Sequence, residues 1–318
     1  MKEYNSFWPV YKNLEDETLQ LAKYINFSDD QLKVYSMYIA NLIIRVVIEI
    51  ESLSKELYKI NGGPEVMDEN NKPRDLYFDT DCIEYLNNIW GICNREIMVS
   101  CINFNFIKEE NIILKPLKRA NKMGTSSSKW NKAYQAVKHD RKNSIKEGNI
   151  ENLIKGLGAL YILNLYYKDE TLNYKFNNEN FFDNRLGSDI FAVSCADASK
   201  ASIGIDHGDT SINKEEREKL DTCVYVIKYT DTSWEEMHKE LIDYNQSIIT
   251  EITKKPEFQK KLSKKITNSS TTIEKAVKEL ISEMQNEYIK HNPPIKLGRM
   301  ISNGKKEVVL NKRQVIYK

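Results

Sequence analysis

The clearest hydrophobic pattern lies in residues 30–60, "DQLKVYSMYIANLIIRVVIEIESLSKELYKI". Its apolar residues recur three or four positions apart, which is typical of a helix with one face in the core. We therefore predict one long helix, with Asp29 and Asp30 capping its start. The "NGG" that follows and Pro64 predict its end, because glycine tolerates the left-handed C-cap and proline cannot continue a helix.

A second helix is predicted in "KWNKAYQAVKHDRK", residues 129–142, with Ser128 as its N-cap. Helical spacing places four residues on its apolar face, which are Trp130, Ala133, Tyr134 and Val137. The same spacing leaves Lys132, Gln135 and His139 on a polar face. A third helix, "NIENLIKGLGALYILNLYY", is apolar nearly throughout, so we expect Asn149 to cap a buried helix.

The composition changes after Lys168, where the chain becomes polar and rich in asparagine. Farther on, "DIFAVSC" and "TCVYVIKYT" have the branched and aromatic residues of buried strands, and Asn303-Gly304 predicts a type I′ hairpin. We predict a mainly α protein with an N-terminal helical domain, residues 1–172, a connection, 173–187, and a smaller α+β domain, 188–318.

The apolar stretches are too short to span a bilayer, which needs about 20 apolar residues. Residues 1–10 lack the pattern of a secretory signal, so we expect a cytoplasmic protein without a membrane partner. Five cysteines without a CxxC pair argue against a disulfide framework or a structural zinc site. GxGxxG, Walker A, GxSxG and HExxH patterns do not occur, and the sequence indicates no cofactor or metal.

The net charge is only +1, but residues 115–146, here called the basic segment, hold ten basic residues and a single acid, Asp140. Such a concentration of positive charge attracts phosphates through counterion release, and a solvated surface without a ligand is the alternative. Residues 296–318 hold seven basic residues and one acid, Glu307. They either extend a nucleic-acid surface or form a charged edge that resists aggregation.

The segments "FWPVYKNLEDETLQLAKYINF", "VYSMYIANLIIRVVIEIESLSKELY" and "KWNKAYQAVKHDR", the last followed by a long apolar helix, resemble HEPN (higher eukaryotes and prokaryotes nucleotide-binding) proteins of bacteria. The resemblance covers roughly residues 1–170. It implies a helical bundle, a homodimer, and a role in RNA processing, stress or antiphage defence, with a toxin or antitoxin protein as a further partner. Many HEPN domains are metal-independent ribonucleases.

The HEPN motif has an arginine, often followed by asparagine, and then a histidine four to six residues after the arginine. His139 takes the histidine position, Gln135 the asparagine position, and Tyr134 stands where the arginine belongs. Lys132 lies at a permitted spacing and could replace the arginine, whereas Arg141 follows the motif. The resemblance implies either an endoribonuclease or a binding domain without nuclease activity.

RNA cleavage by 2′-hydroxyl attack needs a base near neutral pH and a cation that stabilises charge on the phosphate. The candidate catalytic residues are His139 as the base, Lys132, Arg141 and Arg45 as cations, and Glu49, which lies one helical turn from Arg45. Arg45 and Glu49 are four apart in the long helix, so they either form a structural ion pair or bring Arg45 to His139. The candidate RNA-binding residues are Lys138, Lys142, Gln135, Tyr134, Lys129, Arg119 and Lys118. The alternatives are an RNA-, nucleotide- or protein-binding scaffold, or a His139 that only interacts with free carbonyls at a helix end.

Overall fold

The computed structural model describes residues 5–174, 183–199, 214–268 and 272–313. The expected fold class is confirmed, because the protein is mainly α with small β-sheets. The helices are α1 Phe7–Leu21, α2 Met37–Ile60, α3 Glu84–Trp90, α4 Glu109–Ile112, α5 Lys129–His139, α6 Arg141–Ser144, α7 Ile150–Lys168, α8 Lys214–Thr222, α9 Asp231–Lys254, α10 Pro256–Asn268, α11 Ile273–His291 and α12 Ile295–Asn303. The strands are β1 Phe27–Ser28, β2 Ile97–Val99, β3 Phe104–Asn105, β4 Ile113–Leu114, β5 Leu172–Tyr174, β6 Phe191–Val193, β7 Cys195–Asp197, β8 Tyr225–Tyr229 and β9 Lys306–Leu310.

Helix α7 is buried along nearly its whole length, as its apolar sequence predicts, and it contacts α1, α2 and α5. The side chain of Asn149 caps it by accepting a hydrogen bond from the Asn152 amide at 3.1 Å. Gly156 and Gly158 allow close packing, because a Cβ at Gly158 would lie 2.9 Å from the Ile97 side chain. The apolar faces of these helices therefore form one core.

Helix α2 begins at Met37, several residues later than the sequence predicts. Ser36 caps it by accepting a hydrogen bond from the Ile39 amide at 3.1 Å. Asp29 is unavailable as a cap, because its carboxylate accepts hydrogen bonds from the amides of Ile107, at 2.9 Å, and Lys108, at 3.1 Å. The predicted cap at Asp29 and Asp30 is therefore wrong, whereas the predicted C-terminal end is confirmed, since α2 ends at Ile60 and Gly62 has a φ of 75°.

The chain forms two compact units whose boundaries differ from the predicted domains. Unit 1 consists of Met1–Lys228 with Glu307–Lys318, and unit 2 of Tyr229–Lys306. The strands predicted for a separate α+β domain belong to unit 1, since β6 pairs antiparallel with β2 in a sheet of order β4-β2-β6. A four-stranded sheet has the order β5-β9-β8-β7. Of the predicted connection, residues 175–182 lie outside the described residues.

A buried carboxylate also ties residues 188–190 to the N-terminal helices. Glu15 on α1 is fully buried and accepts hydrogen bonds from the Ser188 hydroxyl and from the amides of Asp189, at 3.0 Å, and Ile190, at 3.1 Å. The Tyr11 hydroxyl donates to the same carboxylate at 2.8 Å. Ionic and polar groups buried in this way must be paired, so the bonds fix the segment onto α1.

The described residues of unit 2 are largely helices α9 to α12, and α9, α10 and α11 pack around Ile248, Ile252 and Phe258. The predicted Asn303-Gly304 hairpin is wrong. Residues 295–303 form α12, and Gly304 has a φ of −58°, whereas a type I′ turn needs positive φ at both central residues. No helix in the described part of the chain is long and apolar enough to cross a membrane.

Candidate nucleic-acid interface

Helix α5 presents the polar face that the sequence predicts. Ser128 caps the helix by accepting a hydrogen bond from the Asn131 amide at 3.3 Å. Trp130, Ala133, Tyr134 and Val137 are buried against the core, and Lys132, Gln135 and His139 are exposed. The buried face therefore fixes which side chains of the basic segment point into solvent.

His139 is the last residue of α5, and its imidazole is exposed. Within the described residues no hydrogen bond or ion pair engages its ring. The adjacent carboxylate, Asp140, caps the short helix α6 and accepts hydrogen bonds from the Asn143 side chain at 2.9 and 3.0 Å. Both ring nitrogens of His139 are thus accessible to a ligand.

Tyr134, at the position where the HEPN motif has arginine, is only 2% exposed. Its hydroxyl accepts a hydrogen bond from Lys138 Nζ at 3.1 Å, and this bond raises the pKa of Lys138. Direct contact between Tyr134 and RNA would need the core to open. The residue instead positions Lys138 at the surface.

Arg45 pairs with Glu17 of α1 and not with Glu49. Two guanidinium nitrogens donate to the Glu17 carboxylate at 2.6 and 2.7 Å. Glu49 is half-buried, and burial raises the pKa of its carboxyl. The charge of Arg45 is thus neutralised by a partner that the sequence analysis did not identify.

Three of the ten cations in the basic segment form ion pairs. Lys115 lies 2.9 Å from Glu96, Lys122 lies 3.8 Å from Glu84, and Lys129 lies 2.9 Å from Glu151. The other seven have no carboxylate partner among the described residues, and all are exposed. They are Lys118, Arg119, Lys132, Lys138, Arg141, Lys142 and Lys146.

Lys129, a predicted RNA-binding residue, belongs to a charge cluster around Glu151 at the start of α7. This mostly buried carboxylate also contacts Lys33 at 2.6 Å and Lys155 at 2.5 Å. Burial raises the pKa of the Glu151 carboxyl, but hydrogen bonds from the three lysines outweigh it and hold the pKa well below its ordinary value. The positive charge of Lys129 is consequently balanced in part by Glu151 and is less available to RNA.

Two further predicted residues, Lys118 and Arg119, line a cavity of about 480 Å³ together with Lys122 and Arg313. None of the α5 side chains is among the residues that line it. Sequence reasoning missed the contribution of Arg313, although it lies in the second basic run, residues 296–318. The structure thus separates the predicted residues into an exposed α5–α6 face and a basic cavity.

Amide side chains supply part of the polar lining of this cavity. Asn87 Oδ1 accepts a hydrogen bond from the Cys93 amide at 3.2 Å, and the Asn121 amide donates to Glu84. The side-chain amide nitrogen of Asn87 can still donate hydrogen bonds to a polar ligand. The cavity can therefore combine charge with directional hydrogen bonds.

The five cysteines are free, four of them buried and Cys195 half-buried. Burial raises the pKa of the thiols of Cys82, Cys93 and Cys195 to about 12, so they stay protonated at neutral pH. The described residues contain no group of three or more His, Cys, Asp or Glu side chains that could hold a metal ion.

Comparison of the chain with protein-family models, with curated proteins and with solved structures finds no match. The resemblance to HEPN proteins accordingly stays a prediction.

Proposed function

We propose that the protein binds RNA through the exposed α5–α6 face of the basic segment. One observation carries the proposal: this face concentrates cations that have no carboxylate partner among the described residues, whereas several exposed lysines elsewhere are paired. In helices α8, α9 and α10, for example, Lys219, Lys254 and Lys261 each pair with a glutamate one turn away. Unpaired cations retain their full attraction for phosphate.

The only acid of the basic segment does not weaken this surface through an ion pair. Asp140 is bonded to Asn143, and Arg141, Lys142 and Lys146 extend into solvent around it. Lys132 adds a charge on the polar face of α5. A flexible RNA strand can follow such a face, because phosphate contacts alone require no fixed sequence.

The salt dependence of RNA binding tests this proposal. Wild type and the triple variant Lys132→Gln, Lys142→Gln, Lys146→Gln are titrated into a fluorescent single-stranded RNA at several salt concentrations. The logarithm of the binding constant falls with the logarithm of salt concentration, and each lost phosphate contact makes this slope less steep by about 0.7. The slope of the triple variant should therefore be less steep than that of wild type by about 2.

A triple variant of Lys23, Lys59 and Lys108 to glutamine is the matched control, because these lysines are equally exposed and lie outside the basic segment. It should retain the wild-type slope. If both triple variants weaken RNA binding alike, the RNA-binding surface is not confined to the α5–α6 face. If wild type binds no RNA, the proposal fails and docking of a protein partner becomes the better interpretation of the face.

A second candidate function is metal-independent RNA cleavage with His139 as the base. It is favoured by the exposed, unengaged imidazole on the same helix face as Lys132. In this reaction His139 takes the proton of a 2′-hydroxyl, whose oxygen attacks the adjacent phosphorus. The 5′-oxygen leaves and takes a proton from water, and His139 then releases its proton to solvent. The products are a 2′,3′-cyclic phosphate and a 5′-hydroxyl.

The positions of the candidate cations favour binding over this cleavage. Arg45 is already neutralised by Glu17. Lys132 lies about 10 Å along the helix axis from His139, at about 1.5 Å per residue, so a single phosphate is difficult to contact from both. Incubating total RNA in EDTA with wild type and with His139→Ala decides between the candidates. Cyclic phosphate ends that only wild type produces would support cleavage, and intact RNA that both proteins bind would support a non-catalytic role.

A further inference from the structure

Four cations face one cavity of about 480 Å³ in unit 1, namely Lys118, Arg119, Lys122 and Arg313. Among the described residues only one of them has a carboxylate partner, since Lys122 Nζ lies 3.8 Å from Glu84. Like charges that surround one volume repel one another, and an anion in that volume relieves the repulsion. The four positive charges thus favour the binding of an anion in this cavity.

A buried guanidinium behind the cavity wall adds to this positive potential. Arg95 is 1% exposed and donates to the carbonyl oxygen of Asn311 at 2.9 Å, two residues before Arg313. It also donates to the carbonyl of Trp90, next to Gly91. In the described part of the chain its partners are carbonyls and a phenol, so no carboxylate offsets its charge. In a low-dielectric interior such a charge acts over a longer distance than it does in water.

Both arginines that line the cavity have a strained backbone. Arg119 has a φ of 64° and Arg313 a φ of 47°, a region that residues with a Cβ seldom adopt. The Arg313 side chain packs onto Gly91, where an added Cβ would lie 2.5 Å from Arg313 Nε. Strain retained at a cluster of like charges is typical of a binding site, because stability alone would select against it.

The lining also limits the kind of ligand. Binding sites for nucleobases commonly provide an aromatic ring for stacking, and the described residues that line this cavity include no aromatic side chain. They include instead Asn87 and Asn94, whose side-chain amide nitrogens can donate hydrogen bonds to oxygen atoms. Charge and lining thus favour phosphate groups without a base.

We propose that this cavity binds a small, compact anion that carries several phosphate groups, held by Arg119, Arg313, Lys118 and Lys122. The volume lies within the 300 to 1,000 Å³ range that is roughly typical of small-ligand sites. The proposal does not rest on RNA binding by the α5–α6 face, because none of the α5 and α6 side chains lines the cavity.

Isothermal titration of the full chain with inorganic triphosphate, in a buffer without divalent cations, tests the proposal. The variants are Arg119→Asn and Arg313→Asn, because asparagine tolerates positive φ better than most residues and removes the charge. Each variant should keep or raise the melting temperature and should lose about tenfold or more in triphosphate affinity, as expected for a charge-assisted contact. Lys23→Gln, an exposed lysine outside the cavity, is the matched control and should bind as wild type does.

The outcomes distinguish a free anion from the phosphates of an RNA strand. Unchanged triphosphate affinity in the presence of saturating single-stranded RNA supports a separate site. Loss of triphosphate binding under these conditions would overturn the proposal and make the cavity part of the RNA interface. Absence of triphosphate binding to wild type, or equal binding by wild type and both folded arginine variants, would also overturn it.

Discussion

Replacing the buried Arg95 by methionine should destabilise the protein more than replacing the ion-paired Arg45. Arg95 donates to the Tyr166 hydroxyl at 3.1 Å and to the carbonyls of Asp221, at 2.8 Å, and Asn311, at 2.9 Å, as well as to that of Trp90. The Asn311 carbonyl keeps a donor in the variant, because the Tyr166 hydroxyl also bonds to it at 2.9 Å. The carbonyls of Trp90 and Asp221 lose the hydrogen bond that Arg95 provides.

A buried acceptor that loses its partner costs about 1 to 3 kcal/mol, so the Trp90 carbonyl alone costs roughly 2 kcal/mol. Asp221 is exposed, so water can replace Arg95 at its carbonyl. Relief of the buried charge of Arg95 offsets part of the cost, while the cavity left by the shorter side chain adds to it. At about 2 to 4 °C per kcal/mol for a domain of this size, the melting temperature should fall by about 4 to 8 °C.

Arg45 forms a bidentate ion pair with Glu17, but its side chain is 49% exposed. Exposed ion pairs contribute at most about 1 kcal/mol, so Arg45→Met should lower the melting temperature by no more than about 4 °C. Thermal unfolding followed by circular dichroism compares the two variants under one condition. Equal shifts for Arg95→Met and Arg45→Met would refute the reasoning that the unsatisfied buried carbonyl of Trp90 dominates.

Two further predictions concern the start of α5 and of α7. Ser128→Ala should lower the free energy of unfolding by about 1 kcal/mol through loss of the N-cap, whereas Ser126→Ala, two residues earlier and exposed, should leave it nearly unchanged in urea titrations. The depressed pKa of Glu151 stabilises the fold above about pH 4.3, the ordinary value for glutamate, and this contribution is lost as the pH falls below it. The melting temperatures of wild type and Glu151→Gln should therefore differ most at neutral pH and converge in acid, and a difference that is independent of pH would contradict the assignment.

The sequence predicted best those features that depend on neighbouring residues. The buried and exposed faces of α5 follow from helical periodicity, and Ser128 and Asn149 cap helices at the predicted positions. A cap needs only a side chain and an amide within the same turn. All the residues that determine such a feature lie within a few positions of one another in the sequence.

Features that depend on residues distant in the chain were not predictable. The strand at Val193 pairs with Ile97, which places the predicted second-domain strands in unit 1. Asp29 could not be recognised as unavailable for capping, because its partner Ile107 is far along the chain. The cavity was missed for the same reason, since Arg313 meets the basic segment only in the folded protein.

The position of unit 2 between β8 and β9 has a consequence for the order in which the protein folds during synthesis. Strand β9 lies between β5 and β8 in the sheet, yet the ribosome makes it only after the whole of unit 2. Until then β5 and β8 lack the strand that joins them, and Arg95 lacks Asn311. Pairings of such long sequence separation form slowly, because a long loop must close first. The nascent chain must therefore keep two unpaired strand edges from aggregating while unit 2 is synthesised.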